Sequence, residues 1–253
     1  MTRRAAVIKQ TRSKASNVIL VDAGNSLIMS DSGPKEPAEA THGQTSVEIL
    51  NRLGYDAVGL GDKDLILSKA DLTKRMSEAQ GFSFLSANLI DKATNHLFAK
   101  PYDIKAVAGH RVAFIGITGA VPENSADWSL VPPIDAAREY VRKLQPQADI
   151  IILLSTAGAD MNQQIAAQVP GIDVIVSGGD QPLAQPAEPA PGTIVVQSET
   201  SIPGEAGRFI GRLTVNYDAA GKMTGQKWED IQLTPGIGDD PDMQKWVSSL
   251  SQS

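Results

Sequence analysis

Ala148-Asp149-Ile150-Ile151-Ile152-Leu153-Leu154 runs directly into Ser155-Thr156-Ala157-Gly158, and this junction decides the fold class. The first stretch is apolar without a polar residue at every second position, which is typical of a strand that is buried on both faces. The second stretch is polar and contains glycine, as expected where a strand of an α/β sheet ends and ligands usually bind. The junction therefore predicts an α/β domain with a layered sheet core.

Helical and extended patterns alternate on both sides of this strand. Helices are predicted at residues 5–8, 47–53, 69–79, 134–144 and 163–169. Strands are predicted at residues 18–21, 57–60, 82–87, 104–107, 112–117, 149–154, 174–176, 193–197, 209–217 and 228–233. Gly54 is the expected stop of the helix before it, and the strands at 104–107 and 112–117 form a hairpin. Residues 29–44 and the Pro-rich residues 185–191 are predicted as surface loops.

The composition excludes several classes of protein. The 253 residues include 23 basic and 29 acidic side chains, and the net charge of -6 gives no reason to expect a nucleic-acid partner. The absence of cysteine excludes disulfides and thiolate metal sites in this chain. The longest apolar run is far shorter than the ~20 residues that span a bilayer, and the first residues lack the apolar stretch of a signal peptide. Without repeats or a linker, residues 1–253 are expected to form a single domain.

Four strands are followed by short polar loops that contain glycine. They are Asp22-Ala23-Gly24-Asn25-Ser26, Gly61-Asp62-Lys63-Asp64, Ser155-Thr156-Ala157-Gly158 and Ser177-Gly178-Gly179-Asp180-Gln181-Pro182. Taken singly, each is explained as a tight turn that needs glycine and Asp or Asn. Taken together, their order and spacing match a family.

The chain resembles the calcineurin-like metallophosphoesterase domain of the 5′-nucleotidase and UDP-sugar hydrolase family over about residues 3–245. The resemblance rests on residues 17–26, 50–61, 84–89, 112–118, 148–155, 169–179 and 209–213, in that order. It implies a four-layered α/β/β/α sandwich with two divalent metal ions that activate water and hold a phosphate ester. The family's first strand, with its Asp-x-His motif, has no counterpart, so the sandwich is expected to lack that strand. The family's carboxy-terminal nucleotide-specificity domain is also expected to be absent.

The positions that hold metals in the family carry other residues in this chain. Gly24-Asn25 replaces a Gly-Asp pair whose carboxylate bridges both metals, and Asp62 replaces a ligand Asn. Lys63 stands at the position of the catalytic His. Thr156 replaces a ligand His, and Asp180 and Pro182 replace the His-x-His pair. Because an amide, a hydroxyl and a proline cannot substitute for carboxylate and imidazole ligands, we expect no bound metal and assign no catalytic residue.

Three interpretations of the nearby charged residues remain open. The Lys63 ammonium, among Asp62, Asp64 and Asp180, would supply positive charge that metals supply in the family. Alternatively, the three aspartates would hold one Mg²⁺ or Ca²⁺. The simplest interpretation is that Asp62 and Asp64 form turns and cap helices. Asp22 lies nearby, whereas His42, His96 and His110 are predicted in loops or turns away from these motifs.

Three functions are compatible with the sequence. The first is a pseudoenzyme that keeps the phosphoesterase scaffold as a binding or assembly surface. The resemblance implies that such a protein is periplasmic or extracellular. The second is an active metal-dependent phosphoesterase or nucleotidase with an altered site. The third is a subunit that completes its sheet with a strand from an unknown protein partner, or that self-associates, because an open position in a sheet favours strand addition.

Overall fold

The computed structural model describes residues 1–28, 37–179, 186–198 and 207–250. Its helices are α1 (Thr2–Lys14), α2 (Pro37–Ala40), α3 (Gln44–Leu53), α4 (Lys69–Ser77), α5 (Pro133–Leu144), α6 (Ala159–Gln168) and α7 (Pro241–Leu250), with a short 3-10 helix at Asp64–Ile66. The strands are β1 (Val21–Asp22), β2 (Ala57–Gly59), β3 (Phe84–Leu85), β4 (Leu89–Asp91), β5 (His96–Leu97), β6 (Tyr102–Val107), β7 (His110–Ile117), β8 (Trp128–Leu130), β9 (Ile150–Ser155), β10 (Val174–Ser177), β11 (Ala187–Ala190), β12 (Thr193–Val196), β13 (Phe209–Tyr217) and β14 (Met223–Gln232). None of the helices in these ranges is long and apolar enough to cross a membrane.

Two sheets form the centre of the domain. The larger has six strands in the order β11-β12-β10-β9-β7-β6, and β9 runs parallel to both β7 and β10. The smaller has the parallel order β1-β2-β3. A separate antiparallel hairpin, β13–β14, has an irregular register between Asn216 and Tyr217. A small antiparallel sheet, β5-β4-β8, completes the described strands.

Apolar side chains fill the spaces between four layers. One cluster joins α1, α3 and α4 to the outer face of the small sheet through residues such as Val58. A second joins the two sheets and contains Phe114 and Leu154, and a third joins the large sheet to α5 and α6 through Ile115 and Leu153. Successive residues of β7 and β9 therefore face opposite clusters, which explains their continuous apolar sequence. The predicted α/β/β/α sandwich is confirmed.

The Pro-rich segment at residues 185–191 was wrongly predicted as a loop. Ala187–Ala190 is a strand that pairs antiparallel with β12, and its register is irregular. It lies at the edge of the large sheet, where a strand tolerates proline because its outer N–H groups have no ladder to complete. The helix α7 and the small sheet β5-β4-β8 had no prediction, since their apolar stretches are short. Within the predicted loop at 29–44, α2 is a single helical turn, and residues 29–36 lie outside the described residues.

Candidate functional site

The four polar loops converge at the carboxyl ends of the parallel strands. Gly24, at φ +132°, lies so close to its neighbours that a Cβ would be 2.9 Å from both the Gly61 nitrogen and the Thr156 Cγ2. A Cβ at Gly178 would lie 3.0 Å from the Ala23 Cβ and 3.3 Å from the same Thr156 methyl group. Glycine is therefore required for the loops after β1, β2, β9 and β10 to meet. The described parts of the four loops singled out in the sequence therefore lie side by side.

Asn25 joins the first loop to the second through both ends of its amide. Its Nδ2 donates to Asp62 Oδ1 at 3.1 Å, and its Oδ1 accepts from the Lys63 N–H at 2.9 Å. The backbone N–H of Lys63 can only donate, so this contact fixes which end of the amide is oxygen. Asn25 has a φ of +61°, a conformation that asparagine tolerates better than most residues. The side chain that the resemblance places at a metal bridge therefore forms hydrogen bonds within the protein through both its nitrogen and its oxygen.

The carboxylate of Asp64 forms hydrogen bonds with the backbone of the same two loops. Its carboxylate accepts the N–H groups of Asn25, Leu27 and Gly61, each at 2.9 Å, and its side chain is 0% exposed. Burial raises the pKa of this carboxyl to about 6, although the three hydrogen bonds favour the charged form. The suggestion that Asp64 caps a helix is wrong, because the residue before the 3-10 helix is Lys63 and no side chain caps it. Asp64 instead joins backbone groups of two loops.

Asp22 ends β1 beside an arginine from the first helix. Its carboxylate accepts the Gly24 N–H at 2.9 Å, which shapes the turn after the strand. Burial raises the pKa of the Asp22 carboxyl above its ordinary value, and the hydrogen bond from Gly24 and the charge of Arg4 oppose this only in part. Thr156, across the site, accepts the Gly119 N–H through Oγ1 at 3.1 Å. The Thr156 hydroxyl therefore orders the loop after β7.

A series of buried, hydrogen-bonded polar side chains lies beneath the loops after β9 and β10. Ser155 Oγ donates to Asn162 Oδ1 at 2.6 Å, and Asn162 Nδ2 donates to Ser177 Oγ at 3.0 Å. Ser177 Oγ donates in turn to Gln197 Oε1 at 2.8 Å. Asn162 was missed in the sequence because a single Asn in a helical pattern gives no signal. Its position four residues after Gly158, on the first turn of α6, was the available clue.

Two of the predicted site residues lie outside the described ranges, and the three histidines lie away from the site. The two outside the described ranges are Asp180 and Pro182. His42 lies in a turn, where its Nδ1 is 3.1 Å from Asp71 Oδ2, as predicted for a residue away from the motifs. His96 and His110 were predicted in loops or turns, but they begin β5 and β7.

The described residues do not fit a pair of divalent cations. A cation needs several oxygen or nitrogen lone pairs directed at one point, whereas Asn25 directs an NH₂ group towards Asp62. Both oxygens of Asp64 already accept backbone N–H groups. Across the parts of the chain that the structure describes, His, Asp and Glu side chains do not gather in groups of three that could hold a metal.

The sequence of the chain is similar to those of several phosphoesterases. No family model matches the chain. An uncharacterised metallophosphoesterase of Bacillus subtilis, YunD, is 28% identical over 200 residues, which cover 77% of this chain and 42% of that protein. The venom 5′-nucleotidase of the snake Gloydius brevicauda is 27% identical over 286 aligned positions, covering 99% of this chain and 45% of that protein. The chain thus spans less than half the length of these curated relatives.

Solved structures show the same fold. A 5′-nucleotidase precursor from Thermus thermophilus superposes with a TM-score of 0.82 and 24% identity, covering 99% of this chain and 52% of that one. The calcineurin-like phosphoesterase YfkN of Bacillus subtilis superposes with a TM-score of 0.80 and 19% identity, covering 100% of this chain and 88% of that one.

Proposed function

Since the chain belongs to the 5′-nucleotidase family of metallophosphoesterase-fold proteins, we propose that it has lost two-metal hydrolysis of phosphate esters and serves as a binding or assembly module. The observation that carries this proposal is the pair of hydrogen bonds made by Asn25. The amide of Asn25 carries no negative charge, directs its NH₂ group at Asp62 and accepts the Lys63 N–H, so it is a poor replacement for a carboxylate that bridges two cations. Thr156, at a position of a ligand His, supports the same conclusion.

The loops do not need metals to hold them together. Asp64 binds the backbone of both the first and the second loop, and Thr156 binds the loop after β7. In a metal enzyme, metal binding stabilises the folded state along with the site. Here hydrogen bonds between protein groups supply that stabilisation, which supports retention of the scaffold after loss of the ions.

Metal content is the first test of the loss of hydrolysis. The purified chain is equilibrated with Mn²⁺, Zn²⁺ or Mg²⁺, freed of excess metal, and measured by elemental mass spectrometry. We expect close to no metal per chain. We also expect no metal-dependent release of phosphate from adenosine 5′-monophosphate or p-nitrophenyl phosphate.

The matched control is a variant with restored ligands, Asn25→Asp/Asp62→Asn/Lys63→His/Thr156→His. It is expected to bind more metal than the parent chain, because it regains carboxylate and imidazole donors at three of the loops. One or two tightly held ions in the parent chain, or metal-dependent phosphate release by it, would overturn the proposal. That result would favour the alternative of an active phosphoesterase with an altered site.

We also propose that the protein works in the periplasm or outside the cell. The support is the family resemblance and the presence of snake venom 5′-nucleotidases among the relatives. Fractionation of cells that produce the full gene product tests this location, and a protein found only in the cytosolic fraction would contradict it.

A further inference from the structure

The helix α5 lies on the outer face of the large sheet and directs a row of charged side chains towards solvent. Its other face packs on the large sheet through the buried residues Ala136, Ala137, Tyr140, Val141 and Leu144. The spacing i, i+3, i+4 and i+7 places four exposed side chains along the outer face of the helix. We call these four residues the charged stripe: Asp135, Arg138, Glu139 and Arg142.

The charged stripe is open to solvent along its length. All four residues are exposed, and the side chains of Asp135 and Arg138 keep 61% and 51% of their accessible surface. The four side chains line a shallow depression of about 280 Å³. Depressions between the side chains of one helix are the grooves into which the side chains of a second helix pack. The outer face of α5 therefore has the shape of a helix-packing surface.

The chain itself uses little of the hydrogen-bonding capacity of the stripe. Arg138 Nη1 donates to Asp135 Oδ1 at 3.0 Å. An arginine carries five N–H donors, so Arg138 can bind a second carboxylate at the same time. Glu139 and Arg142 take part in none of the ion pairs formed among the described residues. The stripe can therefore form further ion pairs without breaking those within the chain.

The order of charges along the stripe is complementary to itself in the reverse direction. From the first turn of α5 to its last, the charges are negative, positive, negative and positive. A twofold axis that passes between Arg138 and Glu139 relates two antiparallel copies of α5. In this pair Asp135 faces Arg142 of the second copy, and Arg138 faces its Glu139. Every charge of the stripe then meets an opposite charge, as a self-complementary contact between two identical chains requires.

The full match occurs in one register of the two helices. Sliding one helix by three residues places Asp135 opposite Glu139 in one direction and Arg138 opposite Arg142 in the other. A parallel pair about a twofold axis places each residue opposite its own copy. Like charges repel, so these arrangements are disfavoured. The charge pattern therefore selects both the antiparallel orientation and the register.

The surroundings of the stripe add no repulsion to this pairing. Beyond its first turn, the neighbouring helix α6 exposes only uncharged residues: Gln163, Gln164, Ala167 and Gln168. On the other flank of α5, the Lys143 ammonium lies 5.2 Å from the ring centroid of Tyr102 and 5.6 Å from that of Tyr140. In the twofold register Lys143 faces Ile134 of the second copy, so this charge does not meet a like charge.

We propose that the charged stripe is a contact between two copies of this chain, which pair through antiparallel α5 helices. The 12 residues of α5 extend over about 18 Å, so the contact is smaller than the about 800 Å² per partner of a typical stable complex. Exposed ion pairs are individually weak, so the dimer is reversible and depends on ionic strength. The inference goes beyond the proposed loss of hydrolysis and does not depend on it, because no residue of the stripe belongs to the four loops.

Sedimentation of the full chain measures the proposed dimer directly. At low ionic strength we expect a monomer–dimer equilibrium with a dissociation constant of about 10–100 μM. Raising the salt concentration to about 0.5 M should weaken association by about tenfold or more, because salt screens exposed charges. A chain that is still monomeric at about 0.5 mM and low ionic strength would overturn the proposal. A dimer that is insensitive to salt would overturn it as well.

Two charge-reversal variants test whether the stripe is the contact. Arg138→Glu/Arg142→Glu makes the stripe wholly acidic, and Asp135→Arg/Glu139→Arg makes it wholly basic. Each variant alone should be monomeric, because like charges then face each other. An equimolar mixture should form a heterodimer, because every contact is again between opposite charges. Dimers of either variant alone, or a mixture that remains monomeric, would show that the copies do not meet at this stripe.

The register is tested with a swap of the two central charges. Arg138→Glu alone places two glutamates opposite each other at the centre of the contact and should weaken association by about tenfold or more. Arg138→Glu/Glu139→Arg restores opposite charges in the twofold register, so the dimer should return. Association that stays weak in this double variant would contradict the proposed pairing.

The matched control for net charge is Lys14→Glu/Lys74→Glu, since both lysines are exposed and lie on other helices. It changes the net charge by the same amount as Arg138→Glu/Arg142→Glu and should associate like the parent chain. An equal loss of dimer in this control would mean that net charge governs association, which would overturn the proposal. Circular dichroism of each variant verifies that it remains folded.

Discussion

Asn25 donates its side-chain amide to the carboxylate of Asp62 across 3.1 Å, and this contact joins the loops after β1 and β2. The resemblance to 5′-nucleotidases places a carboxylate at position 25 and an amide at position 62. The two functional groups are therefore exchanged between the loops. The exchange preserves a donor–acceptor pair between the loops while it removes the carboxylate that would bridge metals.

The single substitution Asn25→Asp is expected to destabilise the protein by about 1–3 kcal/mol at neutral pH, because two carboxylates then face each other and one donor is lost. Adding Asp62→Asn should recover most of that loss, since the hydrogen bond re-forms with its direction reversed. Urea unfolding of the two single variants and the double variant gives the coupling between the sites. Strictly additive losses would show that the contact does not stabilise the loops.

Asp64 should stabilise the folded protein more at low pH than at neutral pH, which is the opposite of the usual trend for a carboxyl group. Its pKa is raised from 3.8 to about 6 in the folded protein, so the folded state holds this proton more tightly than the unfolded state does. The contribution of this group to the free energy of unfolding is therefore greatest below pH 4. It falls by up to about 3 kcal/mol as the pH rises through 6. Other carboxyls with lowered pKa values, such as Asp91 and Asp149, have the opposite trend.

The variant Asp64→Asn isolates this effect, because it removes the titration and leaves the other carboxyls in place. We expect the stability advantage of the parent chain over Asp64→Asn to shrink between pH 4 and pH 7 in urea unfolding experiments. An advantage that is constant, or that grows with pH, would contradict the assignment.

Gly24→Ala should destabilise the domain by about 2 kcal/mol or more, because its Cβ would be 2.9 Å from Gly61 and Thr156 in a positive-φ conformation. Gly158 is the matched control. It also has a positive φ, of +86°, but nothing lies within 4 Å of its Cβ position. Thermal unfolding should therefore show a smaller loss for Gly158→Ala, of about 1 kcal/mol from backbone strain alone. Similar losses in the two variants would mean that the four loops are not tightly packed.

Asn162→Ala should cost about 2–4 kcal/mol of stability, since it removes the acceptor of the buried Ser155 hydroxyl and the amide that donates to Ser177. The neighbouring side chain of Gln163 is exposed, so Gln163→Ala on the same helix serves as the control and should change stability by less than about 0.5 kcal/mol. Chemical denaturation measures the loss of unfolding free energy in both variants. Comparable losses would rule out a structural role for the buried hydrogen bonds of Asn162.

The layered fold was predictable because its strongest signals are local. The apolar run that forms β9 and the Gly54 stop of α3 follow from short stretches of sequence, and the structure has both. Short strands such as β4 and β5 were not predictable, because two or three residues carry no periodicity. The proline in β11 also misled the prediction, since only the sheet order shows that the strand lies at an edge.

The candidate site was predictable as a set of loops but not as a network. The sequence identified four glycine-containing loops at strand ends, where ligands usually bind. The role of Asp64 could not be derived in the same way, because its three donors are backbone groups, two of which lie more than thirty residues away in sequence. The contribution of Asn162 likewise depends on residues that only tertiary structure brings together.

The register of β13 with β14 is irregular between Asn216 and Tyr217, and this irregularity interrupts the edge of β13 that faces away from β14. Arg4 donates to the Phe209 carbonyl, and between this contact and the irregularity only Gly211, Leu213 and Val215 direct their backbone groups away from β14. The regular part of this edge is therefore short. It is a poor template for the endless stacking of copies into fibres, which needs long, regular edges. The irregularity therefore limits the risk that copies of the domain aggregate through this edge.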